Sequence, residues 1–190
     1  MLNKRLASPE RRKLLGAVAG IATVAAAPAY PGVFGFLKGA GNIRQIKMSA
    51  QRSGESINII YWIEGKYVKP ALEEISFLMR DWRNDKSMDM DPNNIDNIAA
   101  VQNLLETDEP FMLLSGYRTP STNAMLAARS RRVAKDSYHT KGMAADLRLQ
   151  SRSMKQVAAA AQAVNGGGVG RYYRSNFTHM DCGPIRTWRS

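Results

Sequence analysis

A single cysteine, Cys182, in a chain of 190 residues rules out any intramolecular disulfide. Zinc modules built on cysteine pairs are ruled out with it. The fold must therefore be held by a hydrophobic core, with a metal helping only if histidines and carboxylates supply its ligands. The length suffices for one core in one domain. A composition 44% hydrophobic and 23% charged is ordinary for a globular protein.

Residues 1–29 read as an address rather than as part of that core. A basic stretch ends in Arg11-Arg12, an apolar run without a polar face follows from Leu14 to Ala27, and Ala27-Pro28-Ala29 closes it. This is the pattern of a signal peptide, and the run is short of the roughly 20 residues a membrane helix needs. Ser8-Pro9-Glu10-Arg11-Arg12-Lys13-Leu14-Leu15 also resembles a twin-arginine export signal. That reading predicts the twin-arginine export machinery as a partner and the periplasm as the destination. Membrane contact is expected only through an uncleaved leader. A chain on this route crosses folded, so it can carry a metal acquired in the cytoplasm. Residues 30–41, rich in glycine, read as a linker, and 42–190 as the folded domain.

The formal net charge is +11. Five basic groups and one acid in residues 1–29 account for +4, which leaves +7 on the remainder. A basic body suits an anionic partner. No arginine- and lysine-rich stripe with interleaved aromatics is visible, so no nucleic-acid partner is expected.

Alternation over Asn42–Gln51 and Ile57–Trp62, with Ser53-Gly54 between them, predicts a β-hairpin. Leu72, Ile75, Leu78, Met79 and Trp82 recur at helical spacing over Pro70–Asn84, and Pro92 opens a second helix carrying Ile95, Ile98, Val101, Leu104 and Leu105. Phe111–Leu114 reads as a buried strand leading into Ser115-Gly116-Tyr117-Arg118. A helix follows from Thr119 to about Arg131. Met143–Leu149 reads as a strand, Met154–Val164 as an alanine-rich helix, and Val169–Tyr173 and Phe177–Asp181 as strands, with an exposed turn at Gly166-Gly167-Gly168. The expected class is α+β, a small antiparallel sheet with helices packed on it.

The chain has only two histidines. His139 lies in Ser137-Tyr138-His139-Thr140-Lys141-Gly142-Met143-Ala144-Ala145-Asp146, and His179 in Asn176-Phe177-Thr178-His179-Met180-Asp181. Two imidazoles and a carboxylate make a three-ligand set that leaves a tetrahedral position open for water, as hydrolysis requires. Asp146 sits in an otherwise apolar strand, where an unpaired carboxylate is costly, and Gly142 lets the chain turn between His139 and Asp146. Taken singly, each histidine could be a hydrogen-bonded core residue, and Asp146 could pair with an arginine.

Ser137-x-His139-x-x-Gly142-x-Ala144-x-Asp146, followed by a late histidine, resembles the D-alanyl-D-alanine peptidase family, which shares a zinc fold with the hedgehog signalling domain. From the hairpin to Gly183-Pro184 the chain resembles the exported murein endopeptidase branch of that group. The resemblance implies one zinc ion held by His139, Asp146 and His179, an oxyanion-stabilising role for Arg118, and Ser137 binding substrate or orienting its loop. It implies cleavage of peptidoglycan stem-peptide cross-links, of the 3-3 diaminopimelate–diaminopimelate type in preference to the 4-3 D-Ala–diaminopimelate type. A D,D-carboxypeptidase and a catalytically inactive wall-binding module are the alternatives. The chain departs from the pattern at Asn176 and Phe177, where related enzymes carry a glutamate or a histidine. Asp181, on the strand face of His179, is the expected substitute base.

Overall fold

The computed structural model describes residues 42–190, and the signal-peptide and linker readings of residues 1–41 lie outside the described residues. The predicted hairpin is present: β1 (Ile43–Ala50) buries Arg44, Ile46 and Met48 by strict alternation and pairs antiparallel with β2 (Ser56–Ile63). A two-residue strand, β3 (Lys66–Tyr67), extends that edge.

Helix α1 (Lys69–Leu78) starts beside Pro70 as expected but ends before Trp82. The cause is Asp81, whose buried carboxylate accepts from the Arg83 and Thr119 amides and from the Thr119 hydroxyl. A side chain that serves the backbone in this way competes with helix continuation. Trp82 is left 40% exposed rather than in the core.

Helix α2 (Pro92–Leu104) is capped by the Asp91 side chain and buried over almost its whole circumference, polar residues included. Each of three polar side chains ties it to a neighbour. Asp96 reaches the hairpin, Asn97 donates to the Gly166 carbonyl, and Gln102 accepts from the Lys47 amide while donating to the Glu109 carbonyl.

Strand β4 (Phe111–Ser115), helix α3 (Pro120–Arg129), a 3-10 turn at Tyr138–Lys141, β5 (Ala144–Arg148), α4 (Met154–Val164), β6 (Gly168–Tyr172), β7 (Phe177–Asp181) and β8 (Arg186–Arg189) complete the described chain. All eight strands form one sheet, ordered β3-β2-β1-β4-β5-β7-β6-β8. The α+β class is as expected, but the sheet is larger than expected and mixed. β4 runs parallel to β1, because α1 and α2 intervene as a crossover, and β8 runs parallel to β6. β3 and β8 are too short to leave a periodic signal.

Pleating sorts the central strands into two faces. Ala145, Leu147, Val169 and Met180 join the core with residues of α1, α2 and α4, and on the same side the Thr178 hydroxyl donates to the Met154 carbonyl at the start of α4. Asp146, His179 and Asp181 point to the other face. The glycines at 166–168 are buried, not exposed as expected. A Cβ at Gly167 would stand 2.0 Å from the Asp181 carbonyl oxygen, so the chain can pass there only without a side chain.

Candidate active site

The cluster is assembled by pairing across the sheet. β5 and β7 are antiparallel neighbours in a register that sets Asp146 opposite His179. His139 comes from the 3-10 turn, whose N-cap is Ser137 and which ends at Gly142 in the left-handed conformation, φ 69°. There a Cβ would also approach the Asp89 carbonyl oxygen to 2.6 Å. Gly142 thus makes the reversal that was read from the sequence, and its carbonyl accepts from the Asp91 amide ahead of α2.

His139 Nε2, Asp146 Oδ1 and His179 Nδ1 form a triangle with edges of 3.2, 3.2 and 2.9 Å. All three residues are buried. The far nitrogen of each imidazole is already engaged: His139 Nδ1 donates to the Gly116 carbonyl at 2.6 Å, and His179 Nε2 donates to Asp181 Oδ2 at 2.9 Å. A carbonyl and an ionised carboxylate only accept, so the protons sit on those far nitrogens. With neutral rings, three lone pairs then converge on one point.

Such a cluster calls for positive charge. Ligands about 2.0–2.1 Å from a tetrahedral zinc stand roughly 3.3 Å apart, so the triangle fits that ion closely. The electrostatics of His139 and Asp146 agree, and only His179 is drawn the other way. Burial, helped by the Arg118 charge, pushes His139 down to about 4, which leaves it a neutral donor of electrons at neutral pH. Burial works against the charge on Asp146 as well, but His139, Arg118 and His179 together hold its carboxyl well below the usual range. At His179 burial again opposes protonation, yet the hydrogen bonds to Asp146 and Asp181 prevail and raise it.

Arg118 stands beside the cluster. Its Nε donates to Ser115 Oγ at 2.8 Å and its Nη2 pairs with Asp146 Oδ2, while Nη1 has no hydrogen-bond partner among the described residues. Asp146 therefore does pair with an arginine, through the oxygen that does not face the imidazoles. Ser137 borders the cleft, 8% exposed, and its hydroxyl accepts from the His139 amide. Asn176 lies at a left-handed turn, φ 49°. Phe177 stacks on Tyr172 with centroids 4.5 Å apart.

Asp181 corrects an expectation. It shares a strand face with His179 but contacts Nε2, the nitrogen on the side of the ring away from Asp146. Its Oδ1 accepts from the Gly168 and Gly183 amides, and Arg186 clamps both oxygens at 3.0 and 2.8 Å. Burial favours the protonated acid, but His179 and Arg186 outweigh it and hold the carboxyl far below its ordinary range. A carboxylate only 1% exposed and set behind the imidazole stands away from the open face of the cluster, where a base would have to be. What it does contact is the Nε2 hydrogen of His179.

Sequence reasoning did not find Arg186 or Trp188. Trp188 packs its ring 5.1 Å from His179 and lies under the Arg186 guanidinium. β8, only four residues long, left no periodic signal that could have found them. Cys182 is buried against the Met143 carbonyl.

The cluster opens onto a cleft of about 530 Å³. Its lining includes the aromatic side chains of Tyr172, Phe177 and Trp188 and most of the segment from Ser130 to Tyr138. A buried triad of two imidazoles and a carboxylate below an accessible cleft is the arrangement of a metal-assisted hydrolase.

The chain belongs to the peptidoglycan L,D-endopeptidase MepK family, whose model matches residues 38–188. It is 40% identical over 178 residues to the peptidoglycan L,D-endopeptidase MepK of Escherichia coli strain K12, covering 94% of this chain and 96% of that protein. It is 38% identical over 138 residues to the "probable peptidoglycan L,D-endopeptidase MepK" of Haemophilus influenzae, covering 72% of this chain and 74% of that one. The expected family and the expected peptidase class are thereby borne out.

Proposed function

We propose that this protein is a zinc-dependent, exported endopeptidase that hydrolyses the peptide cross-links of peptidoglycan. One observation carries the zinc reading: His139, Asp146 and His179 turn three electron-pair donors toward a single point, with their other polar atoms already satisfied. Held by these three residues, zinc supplies Lewis acidity toward a carbonyl oxygen and a water.

The chain's own groups do the rest. Asp181 and the Gly116 carbonyl keep each imidazole in the tautomer that presents a bare nitrogen. Arg118, braced by Ser115 and Asp146, offers its Nη1 hydrogens to the negative charge that develops on the scissile carbonyl oxygen. Ser137 holds the turn that carries His139 and so fixes that ligand in place. Tyr172 and Phe177, stacked on each other, offer the cleft an apolar surface.

The names of the relatives favour the 3-3 link, whose carbonyl stands on an L-centre and whose amine stands on a D-centre. The 4-3 link has a D-alanine carbonyl instead. A peptidoglycan substrate requires the enzyme outside the cytoplasm, in keeping with the leader. Loss of export on replacing Arg11-Arg12 by Lys-Lys is the expected result for the twin-arginine route.

The direct test is incubation of the purified protein with cross-linked muropeptides, with chelator and with zinc restored, and with products resolved by mass. Chelator-sensitive conversion of 3-3 dimers to monomers is the expected outcome. Intact dimers in the presence of fully zinc-loaded protein would falsify the enzymatic reading and leave a wall-binding module.

A further inference from the structure

The charges around the cleft are matched with one exception. Among its lining residues, Arg118 is paired with Asp146, Arg186 is clamped on Asp181, and Asp136 is held by Lys141 at 2.9 Å. Arg132, exposed on the rim, has no acidic partner and no side-chain hydrogen bond among the described residues.

The segment that carries Arg132 is built rather than loose. The Ser130 hydroxyl accepts from the Arg132 amide, and the Val133 amide donates to the Ser130 carbonyl. Asn123 of α3, only 3% exposed, donates its side-chain amide to the carbonyls of Ala134 and Lys135 at 3.0 and 3.1 Å. A buried asparagine thus pins the rim two residues beyond Arg132. The result is a free guanidinium on an anchored backbone, lining the same cleft as Tyr172, Phe177 and Trp188.

We infer that Arg132 is a specificity residue that binds a substrate carboxylate beside the scissile bond. This rests on the peptidoglycan reading above. In both the 3-3 and the 4-3 link, the leaving nitrogen is attached to the D-centre of a diaminopimelate, and that same carbon carries a carboxylate. A guanidinium suits a carboxylate because its planar fork can donate two parallel, charge-assisted hydrogen bonds. Arg186 is the weaker partner, since its nitrogens are already given to Asp181 and to the Pro184 carbonyl. Arg132 therefore selects diaminopimelate links by the group next to the leaving amine, whichever carbonyl donor stands on the other side.

The test compares two muropeptide dimers that differ only at that position, one with the free carboxylate and one with a carboxamide. Wild type is expected to favour the carboxylate by about tenfold or more in kcat/KM, chiefly through KM. Arg132→Ala is expected to lose that preference and Arg132→Lys to keep part of it, with zinc content and Tm unchanged. Calorimetric binding of the free-carboxylate and amidated product monomers to metal-free protein makes the same comparison without turnover. It thus separates the two readings: wild type that binds the carboxylate form selectively but cuts nothing fails the enzymatic reading alone. Equal handling of both forms by wild type, or an undiminished preference in Arg132→Ala, overturns the assignment.

Discussion

Two buried aspartates, one on each side of the sheet, show how differently a carboxylate can be housed. Asp96 on α2 receives Arg44 Nη1 on both oxygens at 3.1 Å, the Tyr61 hydroxyl on Oδ1 and the Tyr67 hydroxyl on Oδ2, each at 2.8 Å. Burial, reinforced by the Asp96 charge, pushes both tyrosines up, so they remain protonated donors. Every neighbour of Asp96 gives a hydrogen, and neither of its oxygens lacks a donor. Asp146 has one such donor, Arg118, and turns its second oxygen toward two imidazole nitrogens whose protons lie on the far side of each ring. The first arrangement locks a helix to a hairpin. The second leaves room for one more positive charge, a proton on His179 or the zinc proposed above. The hydrogen-bond roles of the neighbours, more than burial or charge, separate the structural acid from the functional one.

Substitutions at the two sites break the comparison in opposite ways. The largest effect on turnover is expected from His139→Ala, which removes one of the three donors; zinc content measured by mass spectrometry should fall with activity, down to background. Arg118→Ala should retain zinc and lower kcat by about 10²- to 10³-fold, the usual cost of losing an oxyanion donor. An unchanged kcat in that variant would return Arg118 to a purely structural role. Asp181→Asn should lower zinc affinity or activity by roughly 10- to 100-fold, as loss of a partner behind a metal-binding histidine does. Were Asp181 the base, turnover would collapse while zinc affinity stayed the same. Asp96→Ala should leave the kcat of folded protein untouched. It strands the Arg44 charge, whose side chain is 9% exposed, and should cost about 3–5 kcal/mol in denaturant unfolding.

Much of this was legible before folding. Local periodicity located the hairpin, α2 and α4 to within a residue or two, because each carries its own apolar face. The two histidines and Asp146 stood out as a candidate set, and it was the resemblance carried by the Ser137-to-Asp146 motif that assigned them to a metal. Trp82 was misplaced, since helical spacing could not register the competing demand of Asp81 on Thr119, 38 positions away.

By itself the sequence determined which residue types were available for chemistry and which segments could form strands or helices, because periodicity and composition are local properties. Tertiary structure alone decided their roles. Pairing of β5 with β7 set Asp146 against His179, and Arg186, brought in by a strand too short to announce itself, drew Asp181 behind the imidazole. Which nitrogen of each ring is left bare depends on the Gly116 carbonyl, 23 residues from His139, and on Asp181. A lone pair's direction is fixed by what lies on the other side of the ring, and no linear pattern carries that information.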